Sequence, residues 1–180
     1  MSDEIPAPIL DFFGSSQVPL TLADARDPDR PLIHTNEAFL RLTGYDAHEV
    51  IGRNCRFLQG ERTLDRTRQI IRGDFTARRD SRVMITNYRK SGETFDNFLF
   101  IFGLSDQAGA LRYHIGSQFE VPELYRSKAF RAHAETLREG LDGLNAGLDP
   151  TRQQMVRTAE LVGLSIKELL TARLDMLAQV

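Results

Sequence analysis

Three strand-like segments in the second half of the chain limit the fold more than any other feature. Residues 81–88, 94–104 and 111–121 are rich in β-branched and aromatic side chains, and each of the two connections between them is short and contains a glycine. Consecutive strands joined by such turns pair as antiparallel neighbours. The sequence therefore predicts an antiparallel meander, and the other elements must pack against its faces.

Two further strands are predicted on the N-terminal side of the meander. Residues 18–24 alternate apolar and polar side chains, and residues 31–36 follow as another strand after a break that contains proline. Together with the meander they predict an α+β fold, a five-stranded antiparallel sheet with short helices on one face.

The helices of this unit are predicted from their end signals. Asn36 can cap a short helix that Gly44 ends, and residues 46–52 repeat the pattern of a capping residue followed by a glycine. A longer helix is predicted over residues 63–72, and Gly73 is expected to stop it. These helices lie between the second and third strands, so we expect them to cover one face of the sheet.

Composition changes divide the chain into three parts. Residues 1–17 form an N-terminal cap segment whose apolar cluster predicts one short helical turn, and residues 18–121 form the α/β core. Residues 122–180 predict a helical C-terminal extension of two helices with a break near residues 149–150, where aspartate precedes proline. The apolar stripes of this extension favour a homodimer formed through the helices and the sheet, and a helical hairpin that folds over its own sheet is the alternative.

Charge and cysteine content indicate where the protein acts. The net charge of -2 argues against a nucleic-acid partner, because nucleic-acid-binding modules are usually basic. A single cysteine cannot form an internal disulfide, which is typical of the reducing cytosol. The acidic N-terminus and the lack of an apolar stretch near 20 residues predict neither a signal peptide nor a membrane partner. We therefore expect a cytoplasmic protein.

The only cysteine, Cys55, lies in the segment G-R-N-C-R-F-L-Q-G, which spans residues 52–60. Three carboxamides interrupt the apolar strands of the meander: Asn87, Asn97 and Gln118. They can project from one face of the sheet, where their donors and acceptors match the polar edge of a flavin ring. Taken alone, each carboxamide also fits a structural role, and Cys55 also fits a small buried side chain.

The segment at residues 52–60 resembles the characteristic motif of light-oxygen-voltage (LOV) domains, the flavin-binding blue-light sensors of the PAS superfamily. The resemblance extends over residues 18–121 and includes N-Y-R-K-S-G, F-D-N-F and I-G-S-Q downstream of Cys55. It implies the PAS/LOV fold and a blue-light photoreceptor. It also implies FMN as the cofactor rather than FAD, because FAD-binding members lengthen the connection near Thr67.

The resemblance assigns a role to each matching residue. Cys55 would form the photochemical adduct with carbon C4a of the flavin, and Gln118 would reorient when N5 becomes protonated and pass the change to the sheet. Arg56 and Arg72 would bind the terminal phosphate. The remaining implied cofactor-binding residues surround the ring and the ribityl chain: Asn54, Gln59, Asn87, Asn97 and Leu99. No metal site is expected.

Several positions depart from the family pattern. Asp96 replaces a tryptophan and should lie on the face opposite Asn97, while Leu99 and His114 replace aromatic residues. The other histidines carry no spacing typical of metal ligands and are expected to be structural or surface residues: His34, His48 and His133.

The leading functional hypothesis is a photoreceptor whose adduct changes the oligomerisation or partner binding of the helical extension. A downstream signalling protein is the other expected partner. A flavin-based redox sensor that uses the same pocket is the alternative, and a flavoenzyme is a third hypothesis. The sequence offers no general acid or base for a flavoenzyme and no second catalytic domain after residue 121. It therefore predicts a protein that is not an enzyme.

Overall fold

The computed structural model describes residues 4–106 and 108–121, and it contains a five-stranded antiparallel sheet in the order β2-β1-β5-β4-β3. The strands are β1 Leu20–Asp24, β2 Leu32–Thr35, β3 Ser81–Tyr88, β4 Thr94–Ser105 and β5 Leu111–Val121. The helices are α1 Ala7–Ser15, α2 Glu37–Thr43, α3 Ala47–Val50 and α4 Asp65–Thr76, with a 3₁₀ turn at Cys55–Leu58. The predicted α+β class and the meander of β3, β4 and β5 are confirmed.

The two faces of the sheet have different surroundings. Along β4, Asn97, Leu99 and Ile101 point to the face that also carries α4, and they border a cavity there. The alternate residues Phe100 and Phe102 are buried on the opposite face. We call the first the cavity face and the second the outer face.

Helix α1 covers part of the outer face. Ile9 and Phe13 are completely or almost completely buried there against side chains of β1, β4 and β5, such as Leu22 and Phe100. The predicted short helical turn is therefore a nine-residue helix. Its length is possible because the apolar side packs on the sheet, since an isolated helix of this size is not stable in water.

The helix ends agree with the sequence prediction at α2 and differ at α4. The Asn36 side chain accepts a hydrogen bond from Phe39 N, and Gly44 ends α2 in the left-handed conformation at φ 75°. The prediction that Gly73 stops α4 is wrong, because the helix continues to Thr76. Gly73 does not adopt the positive φ of a terminating glycine, and Phe75 beyond it packs on the cavity face.

The predicted helical extension at residues 122–180, its break near residues 149–150 and His133 lie outside the described residues. Among residues 4–106 and 108–121, no helix has the length and apolar character needed to cross a bilayer.

Candidate functional site

Backbone hydrogen bonds fix the cysteine segment to the start of β2. Gly52 turns the chain with φ 81°, and its N–H donates to Leu32 O at 2.8 Å. Leu32 N in turn donates to Arg53 O at 2.9 Å. The Asn54 side chain then accepts a hydrogen bond from Arg56 N at 2.9 Å and caps the 3₁₀ turn. The position of the following cysteine is therefore set by main-chain contacts.

The same segment is tied to β3 at its other end. Thr63 Oγ1 accepts a hydrogen bond from Gly60 N at 3.1 Å and donates to Thr86 O at 2.6 Å. A Cβ atom on residue 60 would lie 2.6 Å from the Tyr88 ring, so this close approach requires glycine. Both ends of the motif are thus anchored to the sheet.

Cys55 begins the 3₁₀ turn and borders a cavity between this turn, α4 and the sheet. Cys55 is a free cysteine, and the residue as a whole has intermediate exposure. Burial among the surrounding protein atoms raises the pKa of the thiol to about 12. The sulfur is therefore protonated at neutral pH, unlike the thiolate of a hydrolase nucleophile or a metal ligand.

The cavity has a volume of about 700 Å³ when its open mouth is included. It brings together eight of the nine predicted site residues: Asn54, Cys55, Arg56, Gln59, Asn87, Asn97, Leu99 and Gln118. Between these polar groups lie apolar walls from α4 and the strands, such as Ile71, Ile85 and Ile101. A cavity with apolar walls and a few convergent polar groups is typical of a small-molecule site.

Arg72, the ninth predicted residue, does not border the cavity. It is exposed on α4, directly after Ile71, which does border it. Arg56 borders the cavity, and its guanidinium forms an exposed ion pair with Asp29 at 2.7 Å. A second arginine of α4, Arg68, is held by Asp65 at 2.6 Å and by Gln59 at 3.2 Å.

The carboxamides at one end of the cavity form a hydrogen-bonded row. Asn97 Nδ2 donates to Asn87 Oδ1 at 3.0 Å, and Asn87 Nδ2 donates to Leu58 O at 3.2 Å. Phe119 N donates to Asn97 Oδ1 at 3.1 Å. Each amide nitrogen has two hydrogens and each amide oxygen two lone pairs, so both side chains retain capacity for a ligand.

Gln118 lies beside Leu99 in the β4–β5 ladder and is 1% exposed. Its Nε2 donates to Thr21 Oγ1 at 3.4 Å, whereas its Oε1 is buried and has no partner among the described residues. An unpaired buried carbonyl oxygen costs about 1–3 kcal/mol, so the site favours a ligand that donates a hydrogen bond there.

The cavity is also bordered by residues that sequence reasoning did not assign to the site. Arg30, Phe75 and His114 all border it, together with Thr21 from β1. The Arg30 guanidinium lies 4.5 Å from the Phe75 ring centre, and the Phe75 and His114 rings are 4.8 Å apart. Burial, followed by the charge of Arg30, lowers the pKa of His114 to about 4. The sequence marks His114 only as a departure from the family pattern, and no local pattern marks Arg30 or Phe75.

The departure at Asp96 lies where it was predicted, on the face opposite Asn97. Thr86 on the neighbouring strand donates a hydrogen bond to its carboxylate at 3.2 Å. Within the described ranges, no cluster of three or more His, Cys, Asp or Glu residues could hold a metal ion.

A sequence profile of PAS domains matches residues 20–123, more than half of the chain. The chain belongs to the PAS family. Over 125 residues it is 42% identical to a blue-light-activated histidine kinase of Rhizobium johnstonii, and this alignment covers 69% of this chain and 36% of that relative. The chain thus spans little more than a third of the length of this relative.

Two solved structures identify the branch of the PAS superfamily. The LOV domain of a blue-light activated histidine kinase from Erythrobacter litoralis is 40% identical, with a TM-score of 0.55 over 58% of this chain and 95% of that chain. The light-state dimer of the fungal blue-light photoreceptor Vivid is 34% identical, with a TM-score of 0.56 over 59% of this chain and 79% of that chain. The described core is therefore a LOV domain.

These relatives correct one expectation. The prediction that the protein is not an enzyme is wrong, because close relatives of this LOV domain are named blue-light-activated histidine kinases, which are enzymes. The prediction rests on the lack of a general acid or base and of a second catalytic domain after residue 121, whereas in these relatives the matching region is one part of a longer protein.

Proposed function

We propose that this LOV domain is a blue-light photoreceptor that holds FMN in the cavity and reacts with it reversibly through Cys55. One observation carries the proposal: the only cysteine of the chain borders the same cavity as the three carboxamides of the central strands. The relatives named as blue-light-activated proteins support the same function.

The residues of the cavity suit a planar ring with one polar edge. The apolar side chains Leu58, Ile85 and Leu99 can contact its faces, while Asn87 and Asn97 can exchange hydrogen bonds with alternating carbonyl and N–H groups. The unpaired oxygen of Gln118 favours a donor on the ring. A flavin offers such faces and such an edge, and its N5 would offer the donor once it is protonated after illumination.

The reaction would use both the sulfur and the proton of Cys55. When bound, the photoexcited flavin supplies an electrophilic carbon at C4a. The Cys55 sulfur would bond to that carbon and its thiol proton would pass to N5, so no external oxidant or reductant would be needed. The raised pKa of about 12 keeps the proton on Cys55 before illumination. In darkness the bond would break and the proton would return to the Cys55 sulfur.

Two arginines, one bordering the cavity and one next to a lining residue, support a phosphorylated flavin. Arg56 borders the cavity, and Arg72 is exposed one residue after the lining side chain Ile71. Guanidinium groups pair bidentately with phosphate oxygens. We propose that these two arginines select FMN, with Asn54 and Gln59 contacting the ribityl chain.

Illumination of the purified protein tests the proposal. We expect the FMN-loaded chain to lose its absorbance in blue light and to recover it in darkness. Cys55→Ala should keep the cofactor and lose the bleaching, because the bond-forming sulfur is gone. Arg66→Ala, which removes an exposed arginine of α4, serves as a control and should bleach and recover like the original protein.

A Cys55→Ala protein that still bleaches reversibly without added reductant would contradict the proposal and favour a flavin redox sensor. A protein purified without flavin that also fails to bind added FMN would contradict both functions.

We further propose that residues 18–121 serve as the sensory unit of a signalling protein, with residues 1–17 as a cap and residues 122–180 as the output segment. The change at Gln118 would pass through β5 to that segment. The relatives named as histidine kinases support a signalling output, and the light-state dimer of Vivid supports a homodimer.

A further inference from the structure

Thr21 and Gln118 meet on the cavity face of β1 and β5. Thr21 stands opposite Gly116 in the ladder between these strands, and Gln118 is the next residue of β5 on the same face. The two side chains are 5% and 1% exposed. Diagonal neighbours on antiparallel strands lie within reach of each other, so the pair can interact away from bulk water.

Gly116 leaves the space for this contact. A Cβ atom on residue 116 would lie 2.7 Å from Thr21 Oγ1 and 2.9 Å from Gln118 Nε2. Because such distances are shorter than side chains tolerate, any larger residue would push the two polar groups apart. The approach of Thr21 to Gln118 is therefore built into the backbone.

The hydrogen bonds favour one orientation of the Gln118 carboxamide. Thr21 Oγ1 donates to Gly116 O at 3.4 Å, and Gln118 Nε2 donates to Thr21 Oγ1 at 3.4 Å. The hydroxyl group thus donates and accepts at once. Gln118 Oε1 has no partner among the described residues and is available to a donor in the cavity.

The reversed orientation makes fewer hydrogen bonds. If the carboxamide turned over, Oε1 would face Thr21, and the hydroxyl group would have to leave Gly116 O in order to donate to it. A hydroxyl group has one hydrogen, so it cannot serve both carbonyl oxygens fully. Thr21 therefore makes the reversed carboxamide less favourable.

We propose that Thr21 is a positioning residue that holds Gln118 with its carbonyl oxygen free to accept a hydrogen bond from the flavin. This inference rests on the proposed function, in which N5 carries a proton only after illumination. A protonated N5 donates a hydrogen bond, whereas an unprotonated N5 can only accept one. Thr21 thus stabilises the illuminated state relative to the dark state and prolongs the bond between Cys55 and the flavin.

Dark recovery of the FMN-loaded full chain tests the proposal with Thr21→Val and Thr21→Ser. Valine keeps the shape of threonine without its hydroxyl group, whereas serine keeps the hydroxyl group. We expect Thr21→Val to shorten the recovery time about fivefold or more, as the loss of one buried hydrogen bond can do, and Thr21→Ser to stay within about twofold of the original protein. If Thr21→Val does not load FMN, Thr21→Ala against Thr21→Ser gives the same comparison.

A double-mutant cycle separates positioning from shape. In a Gln118→Leu background, Thr21→Val should have no further effect, because the group that Thr21 positions is absent. Any of three results overturns the inference: an equally large effect of Thr21→Val in the Gln118→Leu background, equal shortening of recovery in Thr21→Val and Thr21→Ser, or unchanged recovery in Thr21→Val.

If the original protein binds FMN and does not bleach, the proposed function fails and the inference fails with it. If it bleaches and recovers normally while Thr21→Val matches it, the inference alone fails.

Discussion

Cys55 is kept neutral by its surroundings, although two arginines flank it in the sequence. Burial raises the pKa of its thiol, and the Arg56 guanidinium is paired with Asp29 at 2.7 Å. An activated thiolate shows the opposite shift in pKa. At the scale of single residues, the site therefore suits a reaction that consumes a thiol proton together with the sulfur.

His114 makes the folded protein sensitive to acid. Its pKa is lowered to about 4 by burial and by Arg30, whereas an unfolded chain binds the same proton near pH 6.5. The unfolded state therefore takes up more protons as the pH falls from about 6.5 to about 4, and stability is lost in that window. Over this pH window, we expect the free energy of unfolding of His114→Phe to fall by about 1–2 kcal/mol less than that of the original protein. This figure is smaller than the full pKa shift would give, because the ring is partly exposed.

Denaturant unfolding of the FMN-loaded protein between pH 7 and pH 4.5 measures this effect. His48→Gln, at an exposed position, is the matched control for the removal of a histidine. Both variants should keep part of the slope of stability against pH, because burial also lowers the pKa of His34. If the slope of stability against pH is unchanged in His114→Phe, the assignment of this acid sensitivity to His114 is contradicted.

At the scale of elements, α1 and α4 occupy opposite faces of the sheet and depend on it for stability. Helix α1 buries Ile9 and Phe13 on the outer face, and α4 buries Ile71 on the cavity face. Helices this short gain most of their stability from such packing. Packing also explains why α4 continues through Gly73, since Phe75 gains its contacts only if the last turn stays helical.

Glycine-to-alanine substitutions test this view of α4. Gly73→Ala should raise the free energy of unfolding by about 0.5–1 kcal/mol, because the residue is helical and an added Cβ meets no atom within 4 Å. Gly44→Ala is the matched control and should lower it by about 1–2 kcal/mol, because Gly44 ends α2 at φ 75°. Thermal or chemical unfolding of both variants gives the comparison, and destabilisation by Gly73→Ala would show that the helix ends there.

At the scale of the whole molecule, the sheet separates the candidate chemical site from the surface on which other elements dock. Cys55 and Gln118 border the cavity face, while the alternate residues of β4, such as Phe100, pack against α1 on the outer face. Because side chains alternate along each strand, a shift of β4 or β5 on one face moves residues on the other. In the proposed function, the sheet would transmit a change at the cavity to the elements that contact its outer face.

The mass of the full chain in solution tests how that change is used. We expect a homodimer mass in at least one light condition and a change in the monomer–dimer balance on illumination. Size-exclusion chromatography with in-line light scattering, in darkness and under blue light, measures both. Cys55→Ser should keep its dark mass under light. A monomer mass in both conditions would contradict the homodimer, and an unchanged dimer mass would contradict light-controlled association.

The sequence by itself determined the features that depend on neighbouring residues. Turn spacing fixed the meander, the cap residue Asn36 and Gly44 fixed α2, and the two-residue period of strands assigned Asn97 to one face and Asp96 to the other. These features follow from backbone geometry and local hydrogen bonds, which a short segment already contains.

Only the tertiary structure decided which distant residues share the cavity. Thr21, Arg30 and Phe75 reach it from separate elements, and no local pattern distinguishes them from surface or core residues. The pairing of Arg56 with Asp29 and the extension of α4 beyond Gly73 likewise depend on contacts between segments that are far apart or on packing against the sheet. Such contacts form only when the chain folds, so their energies can override or add to the local preferences that a sequence displays.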